Sequence, residues 1–184
     1  VDELLKIAND KSANSIKSVN LLCKMAAKGI EEEKIIDSII YIMDTFSDEN
    51  VIATLGFLSQ VKNNTKVLKT LEVYFKKYIY DNNIESAYDI TLSIINNVGN
   101  YTTEQLIFLK AVAISDEVLE LSMILKDEKG TFDLSSVPED LRLKATLSFY
   151  SLYNKDEEIN SKLMYLRDNS LDIELRKYLT EILE

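Results

Sequence analysis

Residues 31–45, Glu31-Glu32-Glu33-Lys34-Ile35-Ile36-Asp37-Ser38-Ile39-Ile40-Tyr41-Ile42-Met43-Asp44-Thr45, decide the fold class. Ile35, Ile39, Ile42 and Phe46 recur at steps of three and four, Ile36, Ile40 and Met43 widen the stripe, and Asp37, Tyr41 and Asp44 fall opposite. This is the period of an α-helix, and the acidic side chains stand on its first turn, where the macrodipole favours negative charge. An apolar face this broad needs neighbours on two sides.

The same spacing recurs along the chain, and no stretch alternates convincingly with period two. Helices are predicted near residues 2–9, 13–28, 31–45, 49–62, 65–80, 84–98, 102–114, 116–127, 138–153, 156–167 and 171–183, so an all-α fold is expected. Gly29 sits where a left-handed residue would close a helix. Thr102 with Gln105, Ser136 with Glu139 and Asn154 with Glu157 have the spacing of reciprocal N-terminal caps. The pairs Asn63-Asn64, Asn82-Asn83 and Asn96-Asn97 read as turns. Taken in pairs from residue 31, the helices begin anew every ~33 to 37 residues, the period of a helix-pair repeat. The expected architecture is a right-handed α-solenoid of about five antiparallel helix pairs, with an irregular helical bundle as the alternative. One helical-repeat domain over residues 1–184 is expected, and a chain opening on Val1 fits a piece of a longer protein.

Composition narrows the chemistry. There is no histidine and no tryptophan, and Cys23 is the only cysteine. Ser/His/Asp triads, Cys/His dyads, histidine-ligated metals and intrachain disulfides are therefore excluded. No enzymatic activity, cofactor or metal is expected. A net charge of −10 with only three arginines speaks against nucleic acid as a partner. The most apolar stretches, residues 35–43 and 106–114, are too short to cross a bilayer. The start of the sequence has no signal-peptide pattern, so no membrane insertion and a cytoplasmic location are expected. Cys23 shares a helix face with Ile16, Val19 and Ala26 and reads as a small buried hydrophobe.

The acidic groups Glu31 to Glu33, Asp116 with Glu117 and Glu120, and Asp156 to Glu158 read as helix starts rather than catalytic carboxylates. Lys62, Lys66, Lys69 and Lys76 or Lys77 line one side of a helix and read as a solvated face. Tyr74, Tyr78, Phe149 and Tyr153 are expected in the core. The segment 127–137 is longer than the other turns, and its Phe132, Leu134 and Val137 are expected to fold back onto the helices.

Val137-Pro138-Glu139-Asp140-Leu141-Arg142-Leu143-Lys144-Ala145 resembles the proline, aliphatic-Arg and Ala pattern of HEAT-type repeats. The Leu-Arg pair returns at Leu175-Arg176, and residues 47–56 look like a degenerate third copy with Ile52 in place of the arginine. Arg142 and Arg176 are expected to bridge neighbouring repeats by bonding a carboxylate or carbonyl. A tetratricopeptide-like reading competes through Tyr78 and Ala87, although Phe75 stands where that family has a small residue. Either resemblance implies a non-enzymatic scaffold or adaptor that binds a protein or peptide. The second helix of each pair would line the concave side. Its outward stripes hold Phe57 and Gln60, then Glu85, Asp89 and Asn96, then Glu117 and Glu120, then Tyr165, suiting a basic or mixed peptide. One alternative is a helical assembly or regulatory domain of a larger complex or enzyme, binding through end faces or the 127–137 loop. The remote one is a HEAT-like alkylpurine DNA glycosylase, which needs a basic, aromatic concave face.

Overall fold

The computed structural model describes residues 1–10, 12, 14–114 and 118–184. Its helices are α1 (Asp2–Asn9), α2 (Ser15–Ala26), α3 (Glu32–Met43), α4 (Asp48–Leu58), α5 (Thr65–Tyr80), α6 (Ile84–Val98), α7 (Thr103–Ile114), α8 (Glu139–Leu152), α9 (Glu157–Asn169) and α10 (Ile173–Leu183). The short strands β1 (Val118–Glu120) and β2 (Thr131–Asp133) lie between α7 and α8. The fold is all-α, and the chain divides into two compact units, Val1–Tyr101 and Thr102–Glu184.

In the first unit the broad stripe of α3 finds its neighbours, for α1, α2, α4 and α5 all pack against it. Ile35, Ile36 and Ile39 are sealed from solvent, as are Leu22 on α2, Leu55 on α4 and Leu71 on α5. Consecutive helices pair, α1 with α2 and α5 with α6, while α2 packs on α4, α4 on α6, α1 on α3 and α3 on α5.

Turn chemistry sets the ends of these helices. Gly29 takes φ 77°, and the bonds Ile30 N–H to Met25 carbonyl and Gly29 N–H to Ala26 carbonyl close α2 in a Schellman motif. Asn82, at φ 50°, closes α5 in the same way, after which Asn83 caps α6. Asn64 caps α5 by accepting from the Lys66 and Val67 N–H groups. The third pair departs from expectation. Asn96 and Asn97 belong to the last turns of α6, and Gly99 (φ 75°) ends that helix instead.

In the second unit α7 packs along α8 and α9 along α10, with a lesser contact between α8 and α9. The Thr102–Gln105 cap forms reciprocally, Thr102 N–H donating to Gln105 Oε1 at 2.9 Å and Gln105 N–H to Thr102 Oγ1 at 3.3 Å. The other two expected caps do not form as read. Pro138 precedes α8 without a side-chain cap. At α9 the capping acceptor is the Asp156 carboxylate, with Asn160 Nδ2 donating to the Asn154 carbonyl. A carboxylate next to the helix is the stronger acceptor for its N–H groups.

Among the described residues of the predicted span 116–127 there is no α-helix. Within its described part the chain forms β1 and a 3-10 turn at Leu121–Met123, and β1 pairs antiparallel with β2, Leu119 opposite Phe132. Both strands run exposed, buried, exposed, an alternation over three residues that is too brief to stand out in sequence. Asp127 (φ 65°) and Gly130 (φ 125°) turn the chain between them. Glu120 thus ends a strand and precedes the 3-10 turn without capping it by its side chain, rather than opening an α-helix, while Asp116 and Glu117 lie outside the described residues. Phe132, Leu134 and Val137 are buried, and the Phe132 ring centroid lies 6.1 Å from that of Phe108 on α7. Tyr78 and Phe149 are in the core, but Tyr153 is 40% exposed, resting its ring edge-on against Phe149.

Candidate binding surfaces

Phe57 ends α4 with Leu58, and Gln60 stands just beyond. On α6, steps of three and four place Glu85, Asp89, Ser93 and Asn96 along one stripe. Because α4 and α6 pack together, the two groups meet at their C-terminal ends, where Asn96 Nδ2 donates to Ser59 Oγ at 3.0 Å. Phe57 and Gln60 are half-buried, and Glu85 and Asp89 are exposed.

Asn96 is exposed but engaged within the fold. Its Oδ1 accepts from Lys62 Nζ at 2.6 Å, and the same ammonium donates to its backbone carbonyl. Buried Asn97 donates from Nδ2 to the Val61 carbonyl at 2.7 Å and accepts at its own carbonyl from the Asn63 N–H at 3.2 Å. The two asparagines thus clamp the turn after α4 to the end of α6. Phe57 and Gln60, at and just beyond the end of α4, are thus partly accessible, and α6 exposes the carboxylates of Glu85 and Asp89. In the second unit Glu120 is exposed on β1, and Tyr165 is 67% exposed on α9 beside Met164. Glu117 lies outside the described residues.

The lysines around α5 are largely tied to their own fold. Lys66 Nζ pairs with Asp37 at 2.8 Å, and the hydrogen bond to this carboxylate raises its pKa. Lys77 reaches Asp48 at 3.7 Å and lies over the Tyr74 and Tyr78 rings, and Lys76 lies over Tyr80. In the second unit Asp156 meets Lys110 at 2.7 Å. Burial alone would push the Asp156 carboxyl up, but the Lys110 ammonium and the N–H groups of Ile159 and Glu158 hold it below its ordinary range. Burial pushes the Cys23 thiol up to about 12, which removes it as a nucleophile. Among the described residues no group of three or more His, Cys, Asp or Glu side chains is placed to hold a metal ion, and no helix is long and apolar enough to cross a membrane.

Two clefts of the second unit escaped the sequence reading. One, of about 510 Å³, lies among α8, α9 and α10 and is lined by Arg142, Leu143, Lys162, Leu166 and Leu175. Arg142 Nε donates to the Val137 carbonyl at 3.1 Å, a partner just upstream of its own helix, and Lys162 Nζ donates to the Ala113 carbonyl near the end of α7. The other, of about 360 Å³, is lined by Arg167, Asp168, Ile173, Arg176, Lys177 and Thr180. The signal that could have found it is the gathering of two of the three arginines and a lysine within residues 167–177. No family model, curated protein or solved structure matches the chain.

Proposed function

We propose that this chain is a non-enzymatic helical-repeat scaffold that binds a protein or peptide of basic or mixed charge. The observation that carries the reading is the packing order in residues 1–101, where each even-numbered helix rests on the next even one and each odd-numbered helix on the next odd one. Stacked helix pairs pack in this way, and the arrangement suits a solenoid of HEAT or tetratricopeptide type, whose successive second helices present one extended face. On that face α4 and α6 offer Phe57, Gln60, Glu85 and Asp89, with acidic side chains that favour cationic segments by steering their approach. The missing histidine and the inert Cys23 thiol support a role without catalysis. A cytoplasmic adaptor would have this make-up.

The test is affinity capture from native extract with the chain and with Glu85→Lys/Asp89→Lys, alongside melting of both. Loss of the same captured protein from the variant, at unchanged melting temperature, supports the scaffold. Identical capture by both removes this face from the reading. Exposure of Leu171 (98%) and Ile173 (58%) at the start of α10, with Tyr178 (48%) in its middle, favours the second reading, an assembly domain that binds through an end. Leu171→Ser with Ile173→Ser would then abolish capture instead.

A further inference from the structure

The depression between α9 and α10 concentrates positive charge in a strongly acidic chain. Ile173, Arg176, Lys177 and Thr180 share one face of α10 by helical spacing, and Arg167 and Asp168 come from the last turns of α9. Arg167 Nε and Nη2 donate to the two Asp168 carboxylate oxygens at 2.8 and 3.2 Å, which fixes the guanidinium plane and leaves Nη1 unengaged by that carboxylate. Among the described residues the Arg176 guanidinium has no hydrogen-bond or ion-pair partner. Lys177 pairs with Glu174 at 3.1 Å, an exposed contact within one helix that a stronger acceptor displaces at little cost. The Thr180 hydroxyl is committed to the Arg176 carbonyl, so the available donors are the cationic groups.

From this arrangement we infer that the depression is an anion site that takes a phosphoryl dianion. The lining holds three cations against the carboxylate of Asp168, with Glu174 outside it on Lys177, so the depression stays net positive and an incoming phosphoryl group competes only with an exposed side-chain pair. Guanidinium forks match tetrahedral oxyanions through paired N–H donors, and a phosphoryl group offers three acceptor oxygens. The small, open depression suits a phosphoryl group presented at the surface, either free or on a phosphorylated side chain. The site uses none of the side chains on which the scaffold reading rests.

The test is a titration of the full chain with inorganic phosphate, with a phosphoserine peptide and with the unphosphorylated peptide, at about 0.15 M salt. Binding is followed by calorimetry and by amide NMR shifts. The expected result is saturable binding of both phosphorylated probes, with shifts centred on residues 167–180. Arg176→Gln weakens it by about tenfold or more, while Lys69→Gln, on an exposed lysine of α5, leaves it unchanged. Binding of the phosphopeptide also weakens from about pH 7.5 to about pH 5, as its phosphoryl group becomes a monoanion with a second pKa of about 6 while the arginines stay charged. Tighter binding of the phosphopeptide than of inorganic phosphate identifies a phosphorylated side chain as the source, and equal affinity identifies free phosphate. Shifts scattered over surface lysines, equal binding of the unphosphorylated peptide, or unchanged affinity in both Arg176→Gln and Lys177→Gln overturns the proposal. Arg176 is exposed, so its variant folds, and a melting curve checks this.

Discussion

Replacing Phe132 by alanine tests whether the connection between α7 and α8 belongs to the core of the second unit. The side chain is 1% exposed, its ring stands 6.1 Å from Phe108, and Leu134 and Leu119 beside it in sequence or register are also buried. Removing a buried phenylalanine ring costs about 3–5 kcal/mol in lost transfer energy and residual cavity, of which the aromatic pair accounts for about 0.5–1.5. The strands are only three residues long and can partly collapse into the space, which places the expectation at the lower end, about 3 kcal/mol. In a cooperative unit of this size each kcal/mol moves Tm by about 4–8 °C, so a fall of about 12 °C or more is expected for the C-terminal unit. Val118→Ala, at a position 58% exposed on the same hairpin, stays within about 0.5 kcal/mol. Urea and thermal melts followed by circular dichroism measure both. A Phe132→Ala loss below about 1 kcal/mol, with Phe108→Ala still severe, would refute the packed connection.

Asn97→Ala is expected to cost about 1–2 kcal/mol by leaving the Val61 carbonyl unpaired, partly offset because Asn97 Oδ1 is itself a buried acceptor without a partner; urea melts decide it. The Asp156 carboxyl is held below its ordinary 3.8, so its contribution is complete above that value and lost as pH falls through the lower, folded value. Asp156→Asn keeps a good cap but loses the pairing with Lys110, so its deficit of about 1 kcal/mol near neutrality shrinks once the wild-type carboxyl is protonated in acid, read from acid titrations of both proteins. With its pKa near 12, Cys23 is thiolate in only about one molecule in ten thousand at about pH 8, so a thiol reagent should label it at the rate of unfolding; rapid labelling of the native protein contradicts its burial.

Helices announced themselves wherever a stripe ran for three turns or more, as in α3, α5 and α6, because amphipathic period and capping residues then agree. The hairpin was illegible for the opposite reason. Three alternating residues carry no statistical weight, and Leu119, Leu121 and Ile124 also fit loosely on a helix. Asn96 and Asn97 misread as a turn because asparagine has the same local chemistry in either place, and only the tertiary contact with Ser59, Val61 and Lys62 explains them inside α6. Of the candidate binding residues, outward Glu85 and Asp89 follow from helical phase. The depression at Arg167, Arg176 and Lys177 does not, because it needs the angle between two helices, and a count of arginines over the whole chain hides their convergence.

The connection from Ile114 to Glu139 also has a temporal consequence. In the first unit α5 and α6 meet across a tight turn at Asp81–Asn83, so their docking closes a very short loop. In the second unit α7 reaches α8 only after a connection several times longer has been brought together, and each doubling of loop length adds about 0.6 kcal/mol of closure entropy. Pairing of Val118 with Asp133 shortens that search by pinching the connection together close to its two ends. The hairpin is therefore expected to speed the folding of residues 102–184, a consequence for rate rather than for the final packing.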